Sequence, residues 1–100
     1  MTVYALAQLT IRDRERYNRY QSRFMEIFQR FSGRLLAADE HPHALEGRWP
    51  HHKVVLMSFP DQAAFQAWAQ SPEYLEIAKD RKAGAEAVVL LVQGVPTASV

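Results

Sequence analysis

Lys53-Val54-Val55-Leu56-Met57-Ser58-Phe59-Pro60-Asp61 is the stretch on which the fold turns. Its first seven residues are apolar except Lys53 and Ser58, contain no glycine or proline, and predict a strand over 53–59. Pro60-Asp61 ends that strand and opens a helix, with Asp61 as N-cap. Alternation places Val54 and Leu56 on one face and Val55, Met57 and Phe59 on the other. Both faces are therefore apolar, although a single layer of helices covers only one.

Working upstream, Val3 to Ile11 reads as a strand of the same two-faced kind. Asp13 caps a helix whose stripe is Tyr17, Tyr20, Phe24, Ile27, Phe28 and Phe31, spaced for 3.6 residues per turn. Glu15–Arg19 and Glu26–Arg30 stand at the i,i+4 spacing on its outer side, and Gly33 is expected to stop it in a left-handed cap. Arg34 to Ala38 is a short strand, followed by the polar loop Asp39-Glu40-His41-Pro42-His43. Ala44 to Arg48 is expected to extend that strand or to pair locally. Downstream, Phe65 and Trp68 share a helix face, and Ser71-Pro72-Glu73 restarts the helix with a hydroxyl cap, a first-turn proline and an acid. That helix runs to Ala83, Gly84 ends it, and Ala87 to Val92 forms the last strand.

The order is β-α-β-β-α-β, which predicts an α+β, ferredoxin-like sandwich. Four antiparallel strands carry two helices, the second one broken, on one face of the sheet. The opposite face stays apolar, and monomers seldom expose so large a patch. A second copy of the chain is the expected cover, giving a homodimer through the open sheet face.

One such core suits 100 residues, of which 48% are hydrophobic and 23% charged, with a net charge of +1. Residues 1–96 are read as the single domain and 97–100 as a loose C-terminal tail. Without cysteine there is no disulfide framework, thiolate nucleophile or zinc-thiolate site. Met1-Thr2-Val3-Tyr4-Ala5 does not read as a secretory signal, and the longest apolar run, Ala87 to Val92, is far short of the roughly 20 residues of a membrane span. A soluble, cytoplasmic protein with no membrane partner is expected.

Several chemistries fit poorly. His41, His43, His51 and His52 lie close together but lack a metal-binding motif, so they read as a solvated loop and no metal is expected. The arginines between residues 12 and 34 are interleaved with aromatics, and RNA-recognition motifs share this topology. Their third strand needs aromatics and glycines where this chain has Val54-Val55-Leu56-Met57, so no nucleic-acid partner is expected. Acylphosphatases need a phosphate-cradling loop after the first strand, and there is no glycine before Gly33.

Gly33-Arg34, Glu46-Gly47-x-Trp49-Pro50, Phe59-Pro60, Trp68, Ser71-Pro72-Glu73-Tyr74 and Arg81 follow one another in a pattern that resembles the domain-of-unknown-function-1330 family, from Thr2 to Gly94. The resemblance implies a ferredoxin-like protomer of a dimeric α/β barrel and no established activity. Relatives by fold include cofactor-independent monooxygenases and lactone isomerases. The chain departs from the family pattern twice. Phe31-Ser32-Gly33-Arg34 stands for the usual Tyr-Gly-Gly-Arg, and Ala69 follows Trp68 where tyrosine is frequent.

The expected function is the binding of a small, partly apolar organic molecule, with cofactor-independent oxygenase- or isomerase-like chemistry. A non-catalytic ligand-binding or assembly module is the alternative. In the catalytic version Glu46 transfers a proton and Arg34 holds an anionic or enolate oxygen. Trp49, Tyr17, Tyr20, Tyr74 and Arg81 bind substrate, with His51 and His52 at the rim and no cofactor. A buried Glu46 needs a cation, and Arg34 or Arg81 is the expected partner.

Overall fold

A computed structural model describes residues 1–96, so the tail expected over 97–100 lies outside the described residues. The chain runs β1 (Val3–Ile11), α1 (Arg14–Phe28), β2 (Arg34–Asp39), β3 (Lys53–Phe59), α2 (Gln62–Ala69), α3 (Pro72–Gly84) and β4 (Ala85–Gln93). Its four strands form one antiparallel sheet in the order β2-β3-β1-β4, the ferredoxin-like α+β arrangement. No helix among the described residues is long and apolar enough to cross a membrane.

Each helix begins where a short polar side chain caps it. Asp13 accepts the Arg16 N–H at 3.2 Å, Asp61 the Ala64 N–H at 2.8 Å, and Ser71 Oγ the Tyr74 N–H at 3.1 Å. Gln70 and Ser71 separate α2 from α3, and Pro72 opens α3, as the restart signal predicts.

One face of β1 carries Val3, Ala5, Ala7 and Leu9, all buried beneath the helices. Trp68 is the hub of that core. Its ring lies 4.2 Å from Tyr74, 5.3 Å from Phe28 and 5.6 Å from Phe59, centroid to centroid. The opposite face bears Leu6, which pairs with Leu56 on β3 and Leu90 on β4. Val88, Leu90 and Val92 of β4 keep 46%, 47% and 44% of their surface exposed.

Four local expectations are corrected. Helix α1 stops at Phe28, so Phe31 leaves the stripe and its N–H bonds to the Phe28 carbonyl at 3.1 Å. Gly33 is not left-handed, since Gly47 is the one positive-φ residue among those described. Gly33 is needed for space, because a Cβ there would lie 2.5 Å from Phe59 and 2.6 Å from Phe28. The Glu15–Arg19 and Glu26–Arg30 pairs do not form. Glu26 meets Arg23 at 3.2 Å, and Arg19 reaches across to Asp80 at 3.6 Å. Such exposed pairs contribute only about 0–1 kcal/mol each, so small geometric preferences redirect them. Residues 44–48 form no strand. The Asp39 carboxylate takes the His41 N–H at 2.8 Å, which turns the chain out of β2, and Gly47 reverses it at φ +78°.

Candidate functional site

Alanines open a space under the helices. Ala7, Ala38, Ala69 and Ala78 line a cavity of about 510 Å³ between the sheet and all three helices. That volume falls within the ordinary range of small-molecule pockets. Six rings stand in its wall: Tyr17, Tyr20 and Phe24 from α1, Phe65 and Trp68 from α2, and Tyr74 from α3. The helical stripe that buries the core thus also shapes the cavity, because α1 turns the same face toward both.

Donors predominate among the polar groups of this cavity. Tyr20 and Tyr74 share one hydrogen bond, hydroxyl to hydroxyl, at 3.0 Å in a buried setting. Burial pushes the Tyr20 phenol well above its ordinary value, with Tyr74 acting in the same direction and Arg81 against it. Burial likewise pushes Tyr17 up to about 12, with the Glu40 carboxylate adding to the effect. Both phenols are therefore protonated near neutral pH. Arg81 lines the cavity, and its Nε is buried with no hydrogen-bond partner among the described residues. The Trp68 Nε1 is in the same condition.

Lys53 is the member that sequence reasoning missed. It shares the inner face of β3 with Met57 and Phe59, and only 7% of its surface is exposed. Its Nζ donates to Gln21 Oε1 at 3.2 Å and lies 5.0 Å from the centre of the Tyr17 ring. Burial lowers the affinity of this amine for its proton below the ordinary lysine value, with the Glu40 carboxylate opposing and Arg14 reinforcing the shift. The signal was present in the sequence: alternation already puts residue 53 on the face of Val55, Met57 and Phe59, where a lysine is out of place.

The expected convergence of nine residues is corrected. Tyr17, Tyr20, Tyr74 and Arg81 meet in the cavity, whereas the other five stand elsewhere. Arg34 pairs with Ser58, which pairs with Tyr4, so Arg34 belongs to the open face, beside Tyr4 and Leu36 in a separate groove. Trp49 Nε1 donates to Gln8 Oε1 at 2.8 Å, and its ring meets that of His51 at 5.6 Å. His51 Nδ1 lies 3.3 Å from Thr10 Oγ1, and His52 Nδ1 accepts the Ile11 N–H at 2.9 Å. Gln8 and Thr10 alternate with the buried Ala7 and Leu9, so Trp49 and His51 strap the open face. Glu46 is exposed and lines neither space, and among the described residues it makes no ion pair with Arg34 or Arg81. The physical reason is strand parity: a residue's face is set by its register, and Arg34 falls one step out of phase with the cavity-lining Leu35. Among the described residues no group of three His, Asp or Glu side chains could hold a metal ion.

A family model described as Domain of unknown function (DUF1330) matches residues 2–95. No curated protein matches the chain. Among solved structures, a protein of unknown function from Rhodopseudomonas palustris superposes with a TM-score of 0.80 at 19% identity, over 95% of this chain and 83% of its own. SnoaB, a cofactor-independent oxygenase from Streptomyces nogalater, gives 0.71 at 16% identity, over 96% and 95%. A dimeric ferredoxin-like protein of unknown function from Jannaschia sp. gives 0.71 at 19% identity, over 94% and 100%. At these identities the likeness is one of fold.

Proposed function

Because the chain belongs to the DUF1330 family, whose description assigns no activity, we propose its function from the cavity itself. The protein binds a small, partly apolar organic molecule between helices and sheet, and acts on it by cofactor-independent oxygenase- or isomerase-like chemistry. The observation that carries this reading is a cavity of about 510 Å³, walled by aromatic rings, into which Lys53 and Arg81 are set. SnoaB, a cofactor-independent oxygenase with the same fold, supports the catalytic version. In that version Arg81 takes the part first given to Arg34 and holds a developing oxyanion. Lys53 is the proton-transfer group in place of Glu46, since a desolvated amine releases its proton more readily. Tyr17, Tyr20 and Tyr74 position the substrate.

The same reading makes the protein a homodimer whose partner covers Leu6, Leu56, Val88, Leu90 and Val92. An apolar face with three half-exposed aliphatic side chains on one strand supports this, as does the dimeric ferredoxin-like relative from Jannaschia. Arg34, Trp49, His51 and His52 then belong to the interface side, and Glu46 to the loop above it.

The test is mass spectrometry of the small molecules released when the purified protein is denatured, followed by incubation of the released compound with fresh protein. A stoichiometric organic compound that is converted supports the enzyme. A compound that is bound and returned unchanged supports the non-catalytic binding module. Failure to retain or bind any organic compound refutes the cavity as a ligand site.

A further inference from the structure

We infer that the ligand of the helix-side cavity is an organic anion, a planar apolar body carrying a carboxylate or phenolate oxygen. The inference rests on the binding reading above and adds the charge of what is bound. Three cations line the cavity, Lys53, Arg81 and Lys82, and no aspartate or glutamate does. Among the described residues none of the three takes part in an ion pair. The acid nearest in influence, Glu40, is already held by both terminal nitrogens of Arg14, at 2.8 and 3.2 Å.

The unpartnered donors point the same way. Trp68 Nε1 and Arg81 Nε are buried donors without an acceptor, and an indole or guanidinium N–H has no other role to play. The Tyr20–Tyr74 pair shares one proton between two oxygens, which leaves the second hydroxyl proton to be donated elsewhere. Buried donors in a native protein nearly always have a protein, water or ligand partner, so these N–H groups are available to an acceptor that comes from outside the chain. An oxygen carried in by the ligand supplies it after a small side-chain adjustment. A cationic ligand would meet three like charges and no acceptor side chain beyond Gln21 and the phenol oxygens. The aromatic side chains of the lining, Phe24 and Phe65 among them, favour a flat apolar body over a bare inorganic anion.

The experiment compares two probes of one shape and different charge, 2-naphthoate and 2-naphthamide, by calorimetric titration of the full-length protein. The wild-type protein should bind the carboxylate ~10-fold or more tightly than the amide, the margin of a charge-assisted over a neutral hydrogen bond. Arg81→Gln should weaken the carboxylate more than the amide and so remove most of that preference, because the charge-assisted contact is lost while the aromatic walls remain. Lys53→Met, which keeps the length of the stem, serves as the second variant should Arg81→Gln fold poorly, and should lower the same ratio. Equal affinity for both probes in the wild type overturns the charge inference and leaves the binding reading standing. Binding of neither probe at millimolar concentration overturns both. A preference that survives both substitutions overturns the assignment of the anion to this cavity.

Discussion

Gly84 closes α3 against the start of α1, and replacing it with alanine sets two opposing effects against each other. A Cβ at this position would lie 2.7 Å from the Tyr17 backbone nitrogen and 3.0 Å from the Asp13 carbonyl oxygen. Both are main-chain atoms, so no side-chain rotation relieves the contact. The Gly84 carbonyl also accepts the N–H groups of Arg12 at 2.8 Å and Asp13 at 2.9 Å, which pins the two helix ends together. Helix propensity favours alanine over glycine by about 1 kcal/mol in a helix interior, and by less at the last residue. Overpacking against a fixed backbone costs about 1–3 kcal/mol, and parting the ends weakens the two hydrogen bonds as well. The clash therefore wins by about 1–2 kcal/mol, which for a domain of this size lowers the melting temperature by roughly 4–16 °C. Thermal unfolding followed by circular dichroism, checked for reversibility, measures this directly. An unchanged or higher melting temperature for Gly84→Ala would show that the helices have room to separate, and the packing argument would be wrong.

Two further outcomes follow from the sheet and the cavity. Leu90→Asp places a charge on the open face at a residue that is half-exposed in the protomer, so the fold should persist while the homodimer dissociates. Sedimentation equilibrium at micromolar concentration should give a dimer for the wild type and a monomer for the variant; a monomeric wild type sinks the proposal. The Tyr17 phenol, raised from 10.0 to about 12, is held neutral by the folded state. Its contribution is fully present below pH 10, the unfolded value, and is lost as pH rises through about 12. Urea unfolding across that window should show stability falling with pH, and falling less steeply in Tyr17→Phe. Equal slopes in the two proteins would mean that Tyr17 titrates as an ordinary phenol.

Local chemistry made much of this protein legible in advance. The caps at Asp13, Asp61 and Ser71 and the break before Pro72 depend on contacts within about three or four residues, which a sequence displays directly. The ferredoxin-like sandwich followed from the succession of elements, and the two-faced strands from their alternation. Four of the nine candidate residues reached the cavity because α1 and α3 carry them on faces fixed by helical periodicity or by the capped first turn.

What the sequence left undecided was set by contacts between residues far apart in the chain. Gly33 is required by how closely it passes Phe28 and Phe59, not by a backbone preference of glycine. Trp49, His51 and His52 are placed by hydrogen bonds to Gln8, Thr10 and Ile11, each spanning 41 residues, and no local rule says which side of the sheet a loop will cross. Glu46 and Arg34 stand close to conspicuous glycines, prolines and aromatics, yet the register of β2 on β3 turns Arg34 to the open face and the loop leaves Glu46 in solvent. Lys53 is the reverse case. Its parity with Val55 and Met57 was visible from the start, but only the helices packed above that face made a strand-end lysine the wall of a cavity. Periodicity assigns a residue to a face; tertiary packing decides whether that face is core, cavity or open surface, because only then do the opposing atoms exist.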